Sequence, residues 1–223
     1  MGSTSSTAAT RTRLQDHWRW RPEWTPERTC LYWYLTFPPR EVVDAVGREV
    51  LDRVVRTGWL DEVPPRWCHV TMTDVGFTDQ IGASDVDAVR DAVAGAVADE
   101  GRLPLRLGPV RTYSSAVVLE VAPLHRLRAL RSRVRGATTS TLGPRHADVH
   151  RRLFWPHVSL GYVNRDVDQD EVRRLLRQVP PVDARVRVDQ LTLAAVTRHG
   201  RGYRWEVRGR VALPGGRAPQ DHR

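Results

Sequence analysis

Apolar positions along this chain recur at two different intervals, and the interval changes several times between residues 29 and 213. Cys30-Leu31-Tyr32-Trp33-Tyr34-Leu35-Thr36 is rich in aromatic and β-forming residues and predicts a first strand. Behind Pro38-Pro39, the residues Val42, Val43, Val46, Val50, Leu51, Val54 and Val55 recur at helical spacing, which predicts one helix ending near Thr57-Gly58. Trp67-Cys68-His69-Val70-Thr71-Met72 predicts a second strand. It is followed by a helix carrying Val86, Val89, Val93 and Val97, with the capping-box-like Ser84-x-x-Asp87 at its start. Strands are next expected from Leu103 to Thr112 and from Ala116 to Val121, joined across Tyr113-Ser114-Ser115, and then a helix on Leu124, Leu127, Leu130 and Val134. The polar stretch Gly136 to His150, with Gly143-Pro144 inside it, reads as a long functional loop or lid.

A further strand is expected from Phe154 to Tyr162, and a helix from Asp168 with Val172, Leu175, Leu176 and Val179. Two closing strands run from Arg185 to Val196 and from Tyr203 to Leu213 about the turn Gly200-Arg201-Gly202. Val186 and Val188 are out of phase with Leu191 and Leu193, which predicts a bulge near Asp189. The chain thus reads as two successive strand-and-helix halves in one unit, residues 29–213. Before it, residues 1–28 hold Trp18, Trp20 and Trp24 among Arg19, Arg21 and Arg28, broken by Pro22 and Pro26, and no regular element is expected there. After it, residues 214–223 read as a frayed tail.

Composition narrows the class without naming the activity. Hydrophobic residues make up 40% and charged residues 27%, as in ordinary globular proteins. The longest apolar runs, such as Ala92 to Ala98, are too short to span a bilayer, and Met1 to Thr10 has no hydrophobic stretch to serve as a secretory signal, so a cytoplasmic protein without membrane contact is expected. Cys30 and Cys68 lie in apolar strands and are read as buried free thiols. The net charge of +9 favours anionic partners, since guanidinium forks match phosphate oxygens. Every one of these cations is Arg and none is Lys, a uniformity that looks like coding bias and says little about which anion is bound.

The candidate chemistry lies on two strands. Side chains alternate faces along a strand, so His69 and Thr71 project together while Val70 and Met72 turn to the core, and His157 and Ser159 likewise oppose Val158 and Leu160. A histidine with a hydroxyl two positions on is weak by itself, because roughly one histidine in eight would show it by chance. Requiring apolar flanks lowers the chance, and His17, His125, His146, His150, His199 and His222 all fail that fuller rule. Both occurrences also fall in corresponding strands of the two halves.

With these residues in view, the chain resembles the 2H phosphoesterase superfamily, and within it the 2'-5' RNA ligase and RNA 2',3'-cyclic phosphodiesterase family. The carriers are His69-Val70-Thr71-Met72 with Val75-Gly76 after it, and Pro156-His157-Val158-Ser159-Leu160, and the resemblance runs from about Thr29 to Leu213. It departs from the pattern at Asp74, where an aromatic or apolar residue is common, and in its Trp/Arg-rich amino-terminal extension. The resemblance implies an α+β fold of two pseudo-symmetric lobes of antiparallel sheet with outer helices around a central cleft. Both histidines and both hydroxyl residues would point into that cleft. It further implies a cytoplasmic, monomeric enzyme without cofactor or metal. Its substrate would be a phosphate-bearing nucleotide or RNA, and its reaction hydrolysis of a 2',3'-cyclic phosphate or the reverse 2'-5' ligation.

That chemistry needs a base on one side of phosphorus and an acid on the other, and histidine titrates near enough to neutrality to serve as either. Thr71 and Ser159 are expected to hold the non-bridging oxygens. The residues do not say which histidine is which; the resemblance implies His69 as leaving-group acid and His157 as base. Tyr34, Arg111, Tyr113 and Tyr162, with Tyr32, are candidate substrate contacts, although half-buried strand aromatics are more often core. Trp155-Pro156 is expected to set the approach to His157, and Trp67 to serve equally well as packing. Two histidines without a carboxylate cluster make a poor divalent-metal site. The competing class is a non-catalytic basic RNA- or nucleotide-binding module on the same fold, in which binding is salt-sensitive and indifferent to the histidines.

Overall fold

A computed structural model of the chain describes residues 13–19, 24–113, 115–146 and 154–214. Among the described residues nine strands form one antiparallel sheet: β1 (Thr29–Thr36), β2 (Leu60–Glu62), β3 (His69–Phe77), β4 (Leu103–Tyr113), β5 (Ala116–Ala122), β6 (His157–Val163), β7 (Ala184–Val188), β8 (Gln190–Arg198) and β9 (Tyr203–Ala212). The helices that accompany them are α1 (Pro39–Val46), α2 (Arg48–Val55), α3 (Ala83–Ala96), α4 (Leu124–Leu142) and α5 (Gln169–Gln178). The sheet order is β7-β4-β5-β6-β3-β1-β8-β9, with β2 added on β6. Two four-stranded lobes therefore meet where β3 touches β6, at the register pair Val70 and Val158.

The lobes are not the successive halves that periodicity suggests. β8 and β9 return to pair beside β1, so one lobe is made from both ends of the chain and the other from its middle. The phase change at Asp189 is accordingly not a bulge. There β7, paired to β4, ends and β8, paired to β1, begins, so the chain passes from one lobe to the other. Helices cross over as well: α1 and α2, which follow β1, pack toward β7, β2, β6 and α5, whereas α4, which follows β5, packs on α3 and β3.

Three local expectations are also revised. The single helix after the first strand is two, because Gly47 takes φ 83° and ψ 138°, a positive-φ excursion that glycine makes without a Cβ clash. Val42 and Val46 on α1, and Val50, Leu51 and Val54 on α2, still share the core. At the start of α3 the carboxylate that reaches back is Asp85, accepting from the Gly82 N–H at 3.1 Å, so this helix begins before Ser84. The polar stretch from Gly136 is helical as far as Leu142. Its threonines bond back along the turn, Thr138 Oγ1 to the Val134 carbonyl at 2.8 Å and Thr141 Oγ1 to that of Ala137 at 2.9 Å, so their hydroxyls need no loop to be satisfied. The rest of the expected lid from residue 147 on, with His150, lies outside the described residues, as do Trp20 and Arg21 of the extension and the expected tail from residue 215.

The main core fills the space between the sheet and its helices, with Trp33, Leu35, Met72, Leu119, Leu160 and Leu193 among its fully buried side chains. A smaller aromatic cluster of Trp24, Tyr32, Tyr34 and Phe77, flanked by Tyr203 and Trp205, occupies the opposite face of β1, β8 and β9. Cys30 and Cys68 are buried thiols that form no disulfide. Among the described residues no helix is long and apolar enough to cross a membrane.

Candidate active site

Because β3 and β6 are neighbours at the junction of the lobes, the alternation that sets His69 with Thr71 and His157 with Ser159 delivers all four to one cavity of about 480 Å³. That volume lies within the range of roughly 300–1,000 Å³ found for pockets that enclose small organic ligands. Two register shifts of β3 against β1, at Val75 and at Met72, pair Tyr32 with Asp74 and Tyr34 with Thr71, and these residues also border the cavity.

The two histidines are held in matching ways. Nδ1 of His69 lies 2.7 Å from the Trp67 carbonyl, and Nδ1 of His157 lies 2.7 Å from the Trp155 carbonyl. A carbonyl oxygen can only accept, so each Nδ1 carries the proton and donates it, and Nε2 of each neutral ring keeps its lone pair. Each ring also rests against a tyrosine: His69 is stacked on Tyr34 with centroids 3.8 Å apart, and His157 lies 5.1 Å from Tyr113, itself edge-on to Trp155. The role of Trp67 and Trp155 is thus carried by their backbones, two residues before each histidine.

Burial dominates the electrostatics. It lowers His69 to about 4, opposed by the Trp67 hydrogen bond and assisted by the neighbouring His157. His157 is lowered for the same first reason, with its bond to Trp155 opposing. Tyr34 is pushed well above the usual phenol range by burial, and Tyr162 rises to about 12 against a smaller opposing pull from the Ser159 hydroxyl. Both phenols therefore remain neutral donors at any working pH.

Of the other candidate contacts, Tyr34, Tyr113 and Tyr162 line the cavity. Arg111 does not: its half-exposed side chain lies 3.8 Å from Glu120, the residue opposite His157 in the register, and it is corrected from cleft contact to a position beside the cleft. His146 is also used elsewhere, its Nδ1 lying 3.2 Å from the Val75 carbonyl against Gly76, where a Cβ would come within 3.0 Å of the imidazole.

Of the lining residues that periodicity did not single out, two are tied most firmly into the walls. Arg131 reaches the cavity from α4, its Nε donating to the Met72 carbonyl at 2.9 Å and its guanidinium lying 4.8 Å from the Phe154 ring. A signal existed: Arg131 falls on the stripe of Leu127, Leu130 and Val134, and a cation on an apolar helix face is anomalous. The second is His17, in the extension where no element was expected. A short 3-10 turn, His17–Arg19, sets its ring on Tyr162, with centroids 4.2 Å apart, and its nitrogens 2.8 Å from Ser115 Oγ and 2.9 Å from Tyr203 Oη. Ser115 belongs to one lobe and Tyr203 to the other, so His17 joins them across one side of the cleft. The strap around it is fastened by a bridge between Leu14 and Val167, by Trp18 Nε1 donating to Asp61 at 2.7 Å, and by Arg198 donating to the Trp18 carbonyl at 2.9 Å. No periodicity marks an isolated histidine of this kind.

Among the described residues no three His, Cys, Asp or Glu side chains are grouped as metal ligands. What the cleft presents is a pair of neutral imidazoles with free Nε2 positions, two hydroxyls and several phenols. These groups can move protons and donate hydrogen bonds to an anion.

Solved structures share this architecture. A Thermus thermophilus protein superposes with a TM-score of 0.65 at 18% identity, over 83% of this chain and 98% of its own. E. coli LigT, solved with 3'-AMP and also with ATP and with NADP+, superposes with a TM-score of 0.59 in the 3'-AMP complex, at 19% identity over 84% of this chain and 99% of its own. An Agrobacterium tumefaciens protein of unknown function gives 0.53 at 13% identity, over 86% and 93%. No curated protein matches significantly. The family model described as the 2'-5' RNA ligase superfamily matches residues 42–200, well over half of the chain and including both histidine strands. With that match and the bilobal antiparallel fold, the chain belongs to the 2'-5' RNA ligase superfamily of 2H phosphoesterases.

Proposed function

We propose that this protein is a metal-independent phosphodiesterase that opens a 2',3'-cyclic phosphate at an RNA end or on a nucleotide, using His69 and His157 as an acid-base pair. The observation that carries the reading is the matched anchoring of the two rings. Each Nδ1–H is committed to a backbone carbonyl, and neither Nε2 has a hydrogen-bond partner among the described residues. Nucleotide chemistry is supported by the superfamily and by LigT, a protein of the same fold solved with 3'-AMP, ATP and NADP+.

In this mechanism His157 Nε2 takes a proton from water as the water oxygen bonds to phosphorus. The bond from phosphorus to one ribose oxygen breaks, and that oxygen takes its proton from Nε2 of a protonated His69. Thr71 and Ser159 donate to the non-bridging oxygens, which gain charge in the crowded transition state. Burial keeps His69 neutral in the free cleft, and the bound anionic phosphate favours its protonated form, so the acid is charged when substrate is present. With the 5'-hydroxyl of a second strand in place of water, and the 3' oxygen as the leaving group, the same groups serve 2'-5' ligation.

The test is hydrolysis of a nucleoside 2',3'-cyclic phosphate by His69→Ala and by His157→Ala. Each is expected to lose on the order of a hundredfold or more in kcat/KM with its thermal transition retained, and chelator is expected to leave the wild-type rate unchanged. Wild-type rates in either variant would overturn the acid-base pair, whereas salt-sensitive nucleotide binding without turnover, retained in both variants, would favour the non-catalytic module.

A further inference from the structure

A second, smaller cavity of about 200 Å³ lies against the catalytic one and shares three of its walls, His69, Tyr162 and Tyr203. Its lining is cationic in a way the catalytic cleft is not. Arg66 comes from the 3-10 turn Pro65–Trp67 before β3, Arg201 from the tip of the turn between β8 and β9, and Arg204 from the start of β9. The tip is shaped by Gly200 at φ 56° and by the His199 N–H donating to the Gly202 carbonyl at 2.9 Å. Trp67 and Trp205, with centroids 5.4 Å apart and rings crossed at 68°, join the two segments and form an aromatic wall.

Some arginines elsewhere on this surface are paired with carboxylates, as in Arg28 with Asp79, Arg53 with Glu49, Arg133 with Asp99 and Arg165 with Glu171, while others among the described residues, such as Arg185 and Arg187, stand singly on a strand edge. Among the described residues Arg66, Arg201 and Arg204 have no carboxylate within ion-pair distance. One carboxylate, Glu62, borders the cavity against these three guanidinium groups, and His199 also lines it. Three arginines on the lining of one small cavity, none with a carboxylate at ion-pair distance among the described residues, are a composition suited to phosphate. The volume is below the roughly 300 Å³ at which pockets begin to enclose whole organic ligands, so it suits a phosphate with part of its sugar.

We propose that this annex is a second phosphate subsite, which binds the 5'-phosphate of the nucleotide whose cyclic phosphate reacts between the two histidines. The proposal rests on the phosphodiesterase reading for the identity of the first phosphate. A nucleoside 2',3'-cyclic phosphate leaves the annex empty. A 5'-phosphorylated one, or the same nucleotide at the end of an RNA strand, fills it. The basic charge of the chain thereby becomes a preference for substrates with two phosphates one sugar apart.

The experiment compares three substrates: a nucleoside 2',3'-cyclic phosphate, its 5'-phosphorylated form, and a dinucleotide ending in the cyclic phosphate. Wild type is set against the triple variant Arg66→Ala, Arg201→Ala, Arg204→Ala, and against Arg185→Ala, Arg187→Ala on β7 at the far sheet edge. Wild type is expected to favour the two longer substrates in kcat/KM by about tenfold or more, the scale of charge-assisted contacts to one phosphate. That ratio falls to near one in the triple variant and persists in the β7 variant. Preference for both longer substrates identifies the 5'-phosphate itself, and preference for the dinucleotide alone identifies a diester within a strand. The proposal is overturned by a wild type without preference, by a ratio that survives in the triple variant, or by an equal loss in the β7 variant. Calorimetric binding of a nucleoside 5'-monophosphate separates the two readings. Arginine-dependent binding by a protein that hydrolyses none of the three substrates keeps the annex and removes the phosphodiesterase, whereas hydrolysis indifferent to the arginines does the reverse.

Discussion

His69 and His157 show how a side chain's chemistry is set by one backbone bond. An imidazole free to rotate offers either nitrogen, whereas Nδ1–H held 2.7 Å from the carbonyl two residues earlier fixes the plane of the ring and the nitrogen that meets substrate. Burial then lowers both rings below the ordinary 6.5, His69 to about 4, so the free protein carries them neutral at pH 7. The productive form of an acid-base pair has one proton, and its population in the free enzyme declines above the higher of the two values. The alkaline limb of the kcat/KM profile is therefore expected below pH 6.5. The limb of kcat, which reports the complex, is expected at higher pH because bound phosphate favours the imidazolium. A pH-rate profile on a nucleoside 2',3'-cyclic phosphate checks this, and a kcat/KM limb above pH 7 would contradict it.

The strap before β1 is the element whose contribution is least visible from its composition. Residues 13–19 contain one short 3-10 turn, yet they make contacts to both lobes through His17, Trp18, Leu14 and Asp16. Replacing His17 by Ala removes hydrogen bonds to Ser115 and Tyr203 and the stacking on Tyr162. A loss of about 1–3 kcal/mol is expected, readable as a lower urea midpoint with an unchanged slope. The regular elements were legible to the extent that their hydrophobic stripes are regular: Val172 and Leu175 place α5 after Asp168, and the alternation around His157 places β6. Where glycine geometry or back-bonded hydroxyls decide, as at Gly47 and at Thr138 to Thr141, the stripe is silent, and the first helix splits while α4 runs on past Gly136.

The crossed connectivity of the lobes gives the molecule one cooperative unit. Each lobe takes strands or helices from segments far apart in sequence, β1 pairing with β8 and α1 packing toward β7, so neither can melt without exposing the core of the other. One calorimetric transition is expected, with calorimetric and van't Hoff enthalpies in agreement. Its midpoint should fall in acid. His17, lowered to about 4 by burial first and Arg198 second, and His69 both bind protons more readily when unfolded, near 6.5. Unfolding is therefore favoured as pH drops: the stability is complete above pH 6.5 and is lost progressively down to about 4, by roughly 3 kcal/mol for each histidine. Melting curves between pH 7 and pH 4 measure it, and His17→Ala should flatten the dependence.

The pairing of imidazole with hydroxyl on one strand face, and the apolar stripes of the helices, were readable because strand alternation and helical repeat act within a few residues of covalent chain. Which strands lie side by side follows instead from contacts between distant segments, such as Val70 with Val158 and His17 with Tyr203. Local periodicity carries no term for such pairs. The cleft that joins the two histidines, the strap across it, Arg131 in its wall and the basic annex beside it all arise from packing between residues remote in sequence. The alternation of His69 with Thr71 and of His157 with Ser159 could therefore be read from local periodicity and their shared cleft only from the family resemblance, whereas the strap, Arg131 and the annex were decided by tertiary packing alone.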